Sequence, residues 1–522
     1  MTAVAASLPS SLTGGLTSRL ADRVAASGGA TTRTVEVFTG APLAELPTSS
    51  PEDVATAVAT ARRAQPAWAA TDLAERVRIV RAFAALVLAE RATLLDVVQA
   101  ETGKARWDAF NEVLEPVLTA NYYVRKASGL LGSHRREGML PLLVRTEEHR
   151  QPKGVVGVIS PWNYPFALSL SDAIPALLAG NAVVIKPDRQ TSLSPLLGAE
   201  LLDRAGLPDG VCQVVVGDGP TTGGALVEHA DYLGFTGSSA TGRVVAQRSA
   251  ARLVGCSLEL GGKNAMIVLD DADVAKAVAA AVPACFTNAG QVCMAIERLY
   301  VHRDLHDEFT ARFVAATRAL RLGPGYDFGH DVGALASPRQ LDAARAYVDD
   351  AVSLGARVWT GGRARPDLGP TFFEPTILTG VTSSMACAGE EVFGPVVAVA
   401  AFDDDEHAVR LANDTEYGLN ASVFGRDTAR ARRLAARLHT GTVNVNDGFI
   451  AAYGSMDAPM GGMGSSGLGR RHGAEGLLKY TEAQTVAVQR GALSPPPRWL
   501  PRARYAEVMA RAVSLLAKAG IR

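Results

Sequence analysis

Four short β-rich runs, VVGVIS (155–160), NAVVIKP (181–187), VCQVVVG (211–217) and DYLGFTG (231–237), follow one another about 20 to 30 residues apart, each trailed by a helix-length segment. This spacing dictates βαβ units and a parallel sheet. Right-handed crossovers then wind the units into a doubly wound, Rossmann-like layer. A second α/β series begins at NAMIVL (264–269) and runs through a helix near 271–288, a strand ERLYVH (297–302) and an amphipathic helix at 305–320, ending near TVNV (442–445). Two α/β domains are the simplest division of a 522-residue chain, which is long for one hydrophobic core.

Before the first series, apolar residues recur at helical spacing in 52–69 and 72–100 (Leu73, Val77, Val80, Phe83, Leu86, Val87) and again in 106–131 (Trp107, Val113, Val117, Tyr122). Residues 1–50, rich in Ala, Ser, Thr and Gly with a short helix at 16–26, are expected to be a poorly ordered lead-in. At the other end SPPPRWLP (494–501) reads as an extended proline linker. Beyond it Tyr505, Val508, Met509, Ala512 and Leu516 form an apolar stripe flanked by Arg504, Arg511, Lys518 and Arg522. Such a helix could lie on a membrane surface, but without Trp and Phe anchors in the stripe it is expected to pack on its own or a neighbouring subunit.

Charge and cysteine usage narrow the function classes. With 52 basic against 53 acidic side chains the chain lacks the positive field that sequence-independent nucleic-acid binding needs. The five cysteines, Cys212, Cys256, Cys285, Cys293 and Cys387, are too few for a disulfide framework and form no C-x-x-C pair. No apolar run reaches membrane-spanning length and the N-terminus lacks a secretory pattern, so a soluble cytoplasmic protein with no membrane partner and no metal is expected.

Some motifs mislead. HRDL (302–305) and Asp327-Phe328-Gly329 look like kinase fragments, but Phe309 stands where the catalytic-loop Asn belongs. His302 and His306 lack the glutamate of a zinc helix, since Arg303 takes its place. Gly217-Asp218-Gly219-Pro220-Thr221-Thr222-Gly223 has its third glycine one position late for a dinucleotide fingerprint.

Four other segments are not explained as core: Pro161-Trp162-Asn163-Tyr164-Pro165, Phe235-Thr236-Gly237-Ser238-Ser239-Ala240-Thr241-Gly242, Leu258-Glu259-Leu260-Gly261-Gly262-Lys263-Asn264 and Asn288-Ala289-Gly290-Gln291-Val292-Cys293. Together, in this order and with 34 residues from Glu259 to Cys293, they resemble the aldehyde dehydrogenase superfamily over nearly the whole chain. The resemblance implies an α/β fold with a dinucleotide-binding domain (51–133 and 153–261), a catalytic domain (262–461) and a β oligomerisation arm (134–152 and 476–490), followed by the linker and helix of 491–522. A homodimer or homotetramer follows from the arm.

Cys293 matches the nucleophile of that family, as a thiolate adds readily to an aldehyde carbon to give a thiohemiacetal. Asn163, with the Cys293 N–H, matches the oxyanion hole, where a donor fixed in advance lowers the barrier by up to about 3 kcal/mol. Glu259, between Leu258 and Leu260, matches the base that activates water against the thioester; its apolar surroundings should raise its pKa. On the cofactor side Ser160, Trp162, Lys186, Gly237, Ser238, Glu391 and Phe393 match contacts to a nicotinamide dinucleotide, with Ser238 opening a helix whose free N–H groups attract pyrophosphate. Arg189 stands where many relatives carry a glutamate that binds the ribose hydroxyls of NAD; an arginine there pairs with a 2′-phosphate, so NADP is expected, with NAD a usable alternative.

The motif set, including Pro459-Met460-Gly461-Gly462-Met463-Gly464, is most similar to a branch of bacterial NADP-dependent succinate-semialdehyde dehydrogenases, although Gly464 stands where many relatives place lysine. In better understood members two arginines clamp the substrate carboxylate, and the matching positions are Ser171 and Thr287. A carboxylate would then need another Arg or Lys, or hydroxyls such as Ser171, Thr287 and Ser455; the alternative substrate is an uncharged aliphatic or aromatic aldehyde. Intact Glu259 speaks against an acylating enzyme that releases its product to coenzyme A, and the retention of Cys293, Glu259 and Asn163 speaks against a binding protein that has lost catalysis.

Overall fold

The computed structural model describes residues 8–138, 144–490, 498–518 and 520. All four β-rich runs join one six-stranded sheet in the order Gly467–Leu468, Gly255–Glu259, Tyr232–Thr236, Val155–Ile159, Ala182–Lys186, Cys212–Val214. Neighbours are parallel except for the antiparallel Gly467–Leu468 edge. Every residue of Val155–Ile159, Ala182–Lys186 and Tyr232–Thr236 is buried, the signature of a sheet covered on both faces. The chain starts this sheet at Val155–Ile159, builds outward through Ala182–Lys186 and Cys212–Val214, then returns to add Tyr232–Thr236 on the opposite side. A crevice opens at such a switch point, outside the carboxyl ends of the strands.

A second sheet has seven strands in the order Arg357–Thr360, Thr376–Thr379, Val396–Phe402, Ile296–His302, Asn264–Val268, Asn420–Phe424, Thr442–Val445, all parallel but the first. Only the strap Leu260–Lys263 separates Glu259, the last strand residue of the first sheet, from Asn264, the first of the second. The chain then returns after the second sheet, and Gly467 pairs with Glu259. Both strand series and the adjacent helices are therefore placed as the sequence predicts.

Four expectations need correction. Residues 8–50 are not a loose lead-in: Thr13 caps a helix Gly14–Ala21, and Thr31–Val35 pairs with Pro42–Pro47. Leu16, Leu20, Val24 and Leu46 join the first core, while Val37 and Phe38 pack on Ala334 and Phe372. A few large apolar residues suffice where an existing core offers them a surface, and bulk composition hides them. The single helix expected over 72–100 is two, Leu73–Ala89 and Arg91–Thr102. Residues 476–490 are not all strand; a short helix Glu475–Leu478 precedes the strand Thr481–Gln489, which pairs with Val144–Pro152, and that in turn with His134–Arg136. Finally, of the two surfaces expected to cover the C-terminal helix, its own chain is not one: Arg502–Lys518 buries no residue against it, and Trp499, Val508, Val513 and Leu515 are exposed. Residues 494–497 of the proline segment lie outside the described residues, as does Arg522.

Candidate active site

Cys293 follows a helix, Val274–Phe286, that ends in a short 3-10 turn, Thr287–Gly290. Asn288 (φ 52°), Ala289 (φ 54°) and Gly290 (φ 75°) are three consecutive left-handed residues, a conformation costly for the first two. Local bonds and neighbours hold it. The Asn288 N–H donates to Asp108 (2.9 Å), Gln291 Nε2 donates to the Asn288 carbonyl (3.0 Å) and the Ala336 N–H donates to Gln291 Oε1 (2.9 Å). Asn264 Nδ2 donates to the Cys293 and Ala295 carbonyls, 2.8 Å each, tying the nucleophile loop to the second sheet. A β-carbon on Gly262 would meet the Cys293 carbonyl oxygen at 2.8 Å, so the strap residue there has no room for a side chain.

Asn163 comes from the loop after Val155–Ile159, just ahead of the helix Pro165–Leu178. Its Nδ2 donates to the Gln291 carbonyl (3.0 Å), which brings the side-chain amide against the Cys293 loop. Beneath it lies a charged cluster absent from the sequence reading. Lys104, fully buried, donates to the Asn163 carbonyl (2.7 Å), pairs with Glu112 and stands 3.8 Å over the Tyr164 ring. Glu112 accepts from the Phe166 N–H (2.9 Å) at the first turn of that helix. The available signal was Asp108 and Glu112, one turn apart on a helix face otherwise apolar enough to be core.

Glu259 closes its strand, buried, with Oε1 lacking a hydrogen-bond partner among the described residues. Burial pushes its carboxyl up to about 7, against the pull of Arg471 and Lys479. Cys293 is half-buried by surface area, and loss of solvent together with Glu259 and Glu391 pushes its thiol up to about 12. Arg471 and the Met294 N–H act the other way. The sulfur is thus a thiol at rest. Glu391, one of the two carboxyls that resist its ionisation, is itself raised to about 8 by burial and by the Glu297 charge.

Candidate cofactor residues collect at the carboxyl ends of Val155–Ile159, Ala182–Lys186 and Tyr232–Thr236, around the switch-point crevice. Lys186 is buried, and its ammonium makes no hydrogen bond or ion pair among the described residues; burial lowers its pKa. Ser238 is the exposed N-cap of the helix Ser239–Ala251, its Oγ accepting from the Thr241 N–H, and Gly242 lets that helix press on Leu260. Gly237 adjoins the Phe235 ring, where a β-carbon would lie 2.7 Å away. Arg189, exposed, opens a 3-10 turn, Arg189–Thr191, three residues past the strand end, and Thr191 at its close is buried. Phe393 (φ 52°) sets its ring edge-on to Trp162 at 5.4 Å, and the Gly262 N–H donates to Glu391 (2.8 Å), so both come to the strap between the sheets. Glu297, paired with Lys263, accepts from the Val392 and Phe393 N–H groups and fixes this loop; the pair also went unread in the sequence. Ser160 differs: its hydroxyl is buried and bonded to Ser169 (2.6 Å), facing the helix behind it. The unpaired ammonium of Lys186, an exposed helix N-terminus and two aromatic rings along one crevice fit a nicotinamide dinucleotide.

Residues 24–486 match the aldehyde dehydrogenase family. The chain belongs to this family. A Mycobacterium ulcerans protein named "Putative succinate-semialdehyde dehydrogenase (NADP+) 2" is 52% identical over 471 residues, 90% of this chain and 91% of that one. A similarly named Mycolicibacterium smegmatis protein is 52% identical over 462 residues, 88% of this chain and 89% of that one. Among solved structures, a betaine aldehyde dehydrogenase from Staphylococcus aureus in complex with NAD+ superposes with a TM-score of 0.86 at 32% identity, covering 92% of this chain and 97% of its own. An Escherichia coli NADP-dependent enzyme gives a TM-score of 0.86 at 34% identity, covering 89% and 96%. The aldehyde dehydrogenase fold is therefore that of this chain, and no helix among its described residues is long and apolar enough to cross a membrane.

Of the three hydroxyls considered for a substrate carboxylate, two are already bonded within the protein. Ser171 donates to the buried Glu115, Ser455 donates to the Ala451 carbonyl (2.7 Å), and Thr287 ends the helix Val274–Phe286. Glu115 also accepts from Thr119 (3.2 Å) and lies 3.9 Å from His472 Nε2. The His472 ring meets Tyr453 edge-on at 5.6 Å, and Tyr453 packs on the same apolar cluster of Met294, Leu419 and Met460 as Cys293 does. A wall of side chains thus runs from the apolar cluster on which Cys293 packs, through Tyr453 and His472, to the Glu115 carboxyl.

Proposed function

We propose that this aldehyde dehydrogenase oxidises an aldehyde to the carboxylic acid with NADP as the preferred acceptor. One observation carries the reading: Cys293, the Asn163 amide held on Gln291, and the unpartnered Glu259 carboxyl come from three separate segments and share the junction between the two sheets. The Cys293 sulfur attacks the aldehyde carbon as its proton passes to solvent water, and the oxygen takes up charge in front of Asn163 Nδ2 and the Cys293 N–H. The nicotinamide, when bound, supplies the hydride acceptor. Glu259 then takes a proton from water, which attacks the thioester; the acid leaves and the sulfur regains a proton. With its carboxyl at about 7, Glu259 is a competent base at neutral pH. Cys293→Ala should abolish NADPH formation while leaving the dinucleotide bound, and activity surviving that change overturns the reading.

For the substrate, the names of relatives at 52% identity support succinate semialdehyde. A second reading, an aldehyde without a carboxylate, is favoured by the Ser171–Glu115 bond, which puts a carboxyl group where an arginine clamp would stand. A panel of aldehydes under saturating NADP separates the two. Hexanal or benzaldehyde surpassing succinate semialdehyde tenfold in kcat/KM decides for the second.

Arg189 beside the strand end supports NADP over NAD. The strand Thr481–Gln489, exposed along nearly its whole length at the edge of its sheet, supports a homodimer or homotetramer built on this arm. Five free cysteines suit a reducing cytoplasm.

A further inference from the structure

Behind Glu259 lies a buried ionic network that the proposed steps do not use. Arg471 donates to Asp172 through Nη2 (2.5 Å) and Nε (3.3 Å), and also to Thr236 Oγ1 (2.7 Å). Thr236 is the direct cross-strand neighbour of Glu259 in the parallel register. Asp172, on the helix Pro165–Leu178, accepts further from Lys479 (3.2 Å) and from the Tyr480 hydroxyl (3.0 Å). The Arg471 backbone is pinned as firmly: its N–H donates to the Met460 carbonyl (2.6 Å) and the Met460 N–H donates back (2.8 Å). Four residues earlier, Gly467 pairs with Glu259 itself. The guanidinium is thus held by Asp172 and Thr236, and the segment that carries it by its backbone pairings with Met460 and Glu259.

We infer that Arg471, held by Asp172, is a positioning residue that sets the charge state of Glu259 and thereby the pH range in which the thioester is hydrolysed. The inference rests on reading Glu259 as the water-activating base. The Arg471 side chain bonds Asp172 and Thr236; it acts through the field it places on Glu259, and the same field reaches Cys293. The charged and titratable groups facing Glu259 are Arg470 and Arg471 from the returning segment, Lys479 ahead of the last strand, Asp172 from the helix, Tyr232 from the neighbouring strand and Cys293 across the junction. Among them Asp172 opposes Arg471, so the pair works as a balance: removing either member should move Glu259 in the opposite direction to removing the other.

The test separates acylation from hydrolysis. An activated ester such as p-nitrophenyl acetate acylates Cys293 without cofactor, and the steady phase after the burst reports breakdown of the thioester by water. Its rate is followed from pH 5.5 to 9 for the full-length wild type and variants, with thermal unfolding as a check on folding. Arg471→Gln is expected to move the acid limb up by at least about half a pH unit, Asp172→Asn to move it down, and Arg471→Lys to return it to the wild-type position. A merely structural role lowers rates at every pH and leaves the limb where it was. Limbs unmoved in folded Arg471→Gln and Asp172→Asn, or moved in the same direction, overturn the inference. Glu259→Gln guards the underlying reading: if the limb persists without Glu259, the base assignment fails instead. Should Arg471→Gln not fold, the Asp172→Asn shift alone decides.

Discussion

Gly290 and Gly394 meet backbone to backbone: a β-carbon on Gly290 would overlap the Gly394 carbonyl, and the φ of 75° at Gly290 already excludes most side chains. The contact joins the nucleophile loop to the loop of Glu391 and Phe393, so the thiol and the proposed nicotinamide contacts share one rigid seam. Gly290→Ala is expected to lower kcat by roughly 100-fold or more through displacement of Cys293, and to cost about 1–3 kcal/mol of stability. NADPH formation and thermal unfolding measure the two effects; a variant with wild-type turnover refutes the seam.

Lys104 makes a second prediction because its charge is wholly enclosed. Lys104→Met leaves the Glu112 carboxyl buried without its cation and frees the Asn163 carbonyl, and should destabilise by about 3–5 kcal/mol. Adding Glu112→Gln removes the orphan charge while keeping an acceptor for the Phe166 N–H, so the double variant should recover at least half of the loss. Denaturant titrations of the wild type, both single variants and the double variant complete the cycle.

These two predictions show what the sequence could and could not carry. The two strand series, the Glu259-to-Cys293 span and the position of Asn163 after a strand are visible because hydrophobic period and motif order are local properties of the chain. Lys104, Asp108, Glu112, Arg471 and Asp172 are not visible, because a charged residue on a helix or in a glycine-rich loop reads as solvated until its partner, up to 299 residues away, is brought to it. The order of residues 8–50 escaped for a related reason: Leu16, Leu20 and Phe38 gain their burial from surfaces built later in the chain.

Glu259 should leave its mark on the wild-type pH profile. Burial raises its carboxyl to about 7, so below that pH the group is protonated and cannot accept a proton from water. The hydrolysis rate is expected to climb about tenfold per pH unit up to pH 7 and to level off above it, as for a single deprotonation. A rate flat from pH 5.5 to 8 removes Glu259 from the role.

Arg189 governs the choice between dinucleotides if its guanidinium meets a 2′-phosphate. It is exposed on a turn whose neighbour Asp188 is occupied in capping Gln190, so a substitution there disturbs little else. Arg189→Glu should shift the ratio of kcat/KM for NADP over NAD by at least about tenfold toward NAD, the scale of one lost charge-assisted pair plus a new repulsion. An unchanged ratio returns Arg189 to the solvated surface.

Glu115 supplies the last prediction, and it bears on the aldehyde. Its carboxyl is buried against Ser171, Thr119 and His472, and the His472 ring leans on Tyr453, which packs on the same apolar cluster as Cys293. A substrate that reaches the thiol along this wall and carries a carboxylate at its far end would bring two like charges together away from bulk water, where their repulsion is strong. Glu115→Gln retains size and an acceptor for Ser171 but deletes the charge. It is expected to raise kcat/KM for succinate semialdehyde by about tenfold, the equivalent of about 1.4 kcal/mol, while changing that for hexanal by less than about threefold. Equal changes for both aldehydes would place Glu115 in the scaffold, away from the substrate, and a fall confined to succinate semialdehyde would make its side chain a direct partner of that substrate.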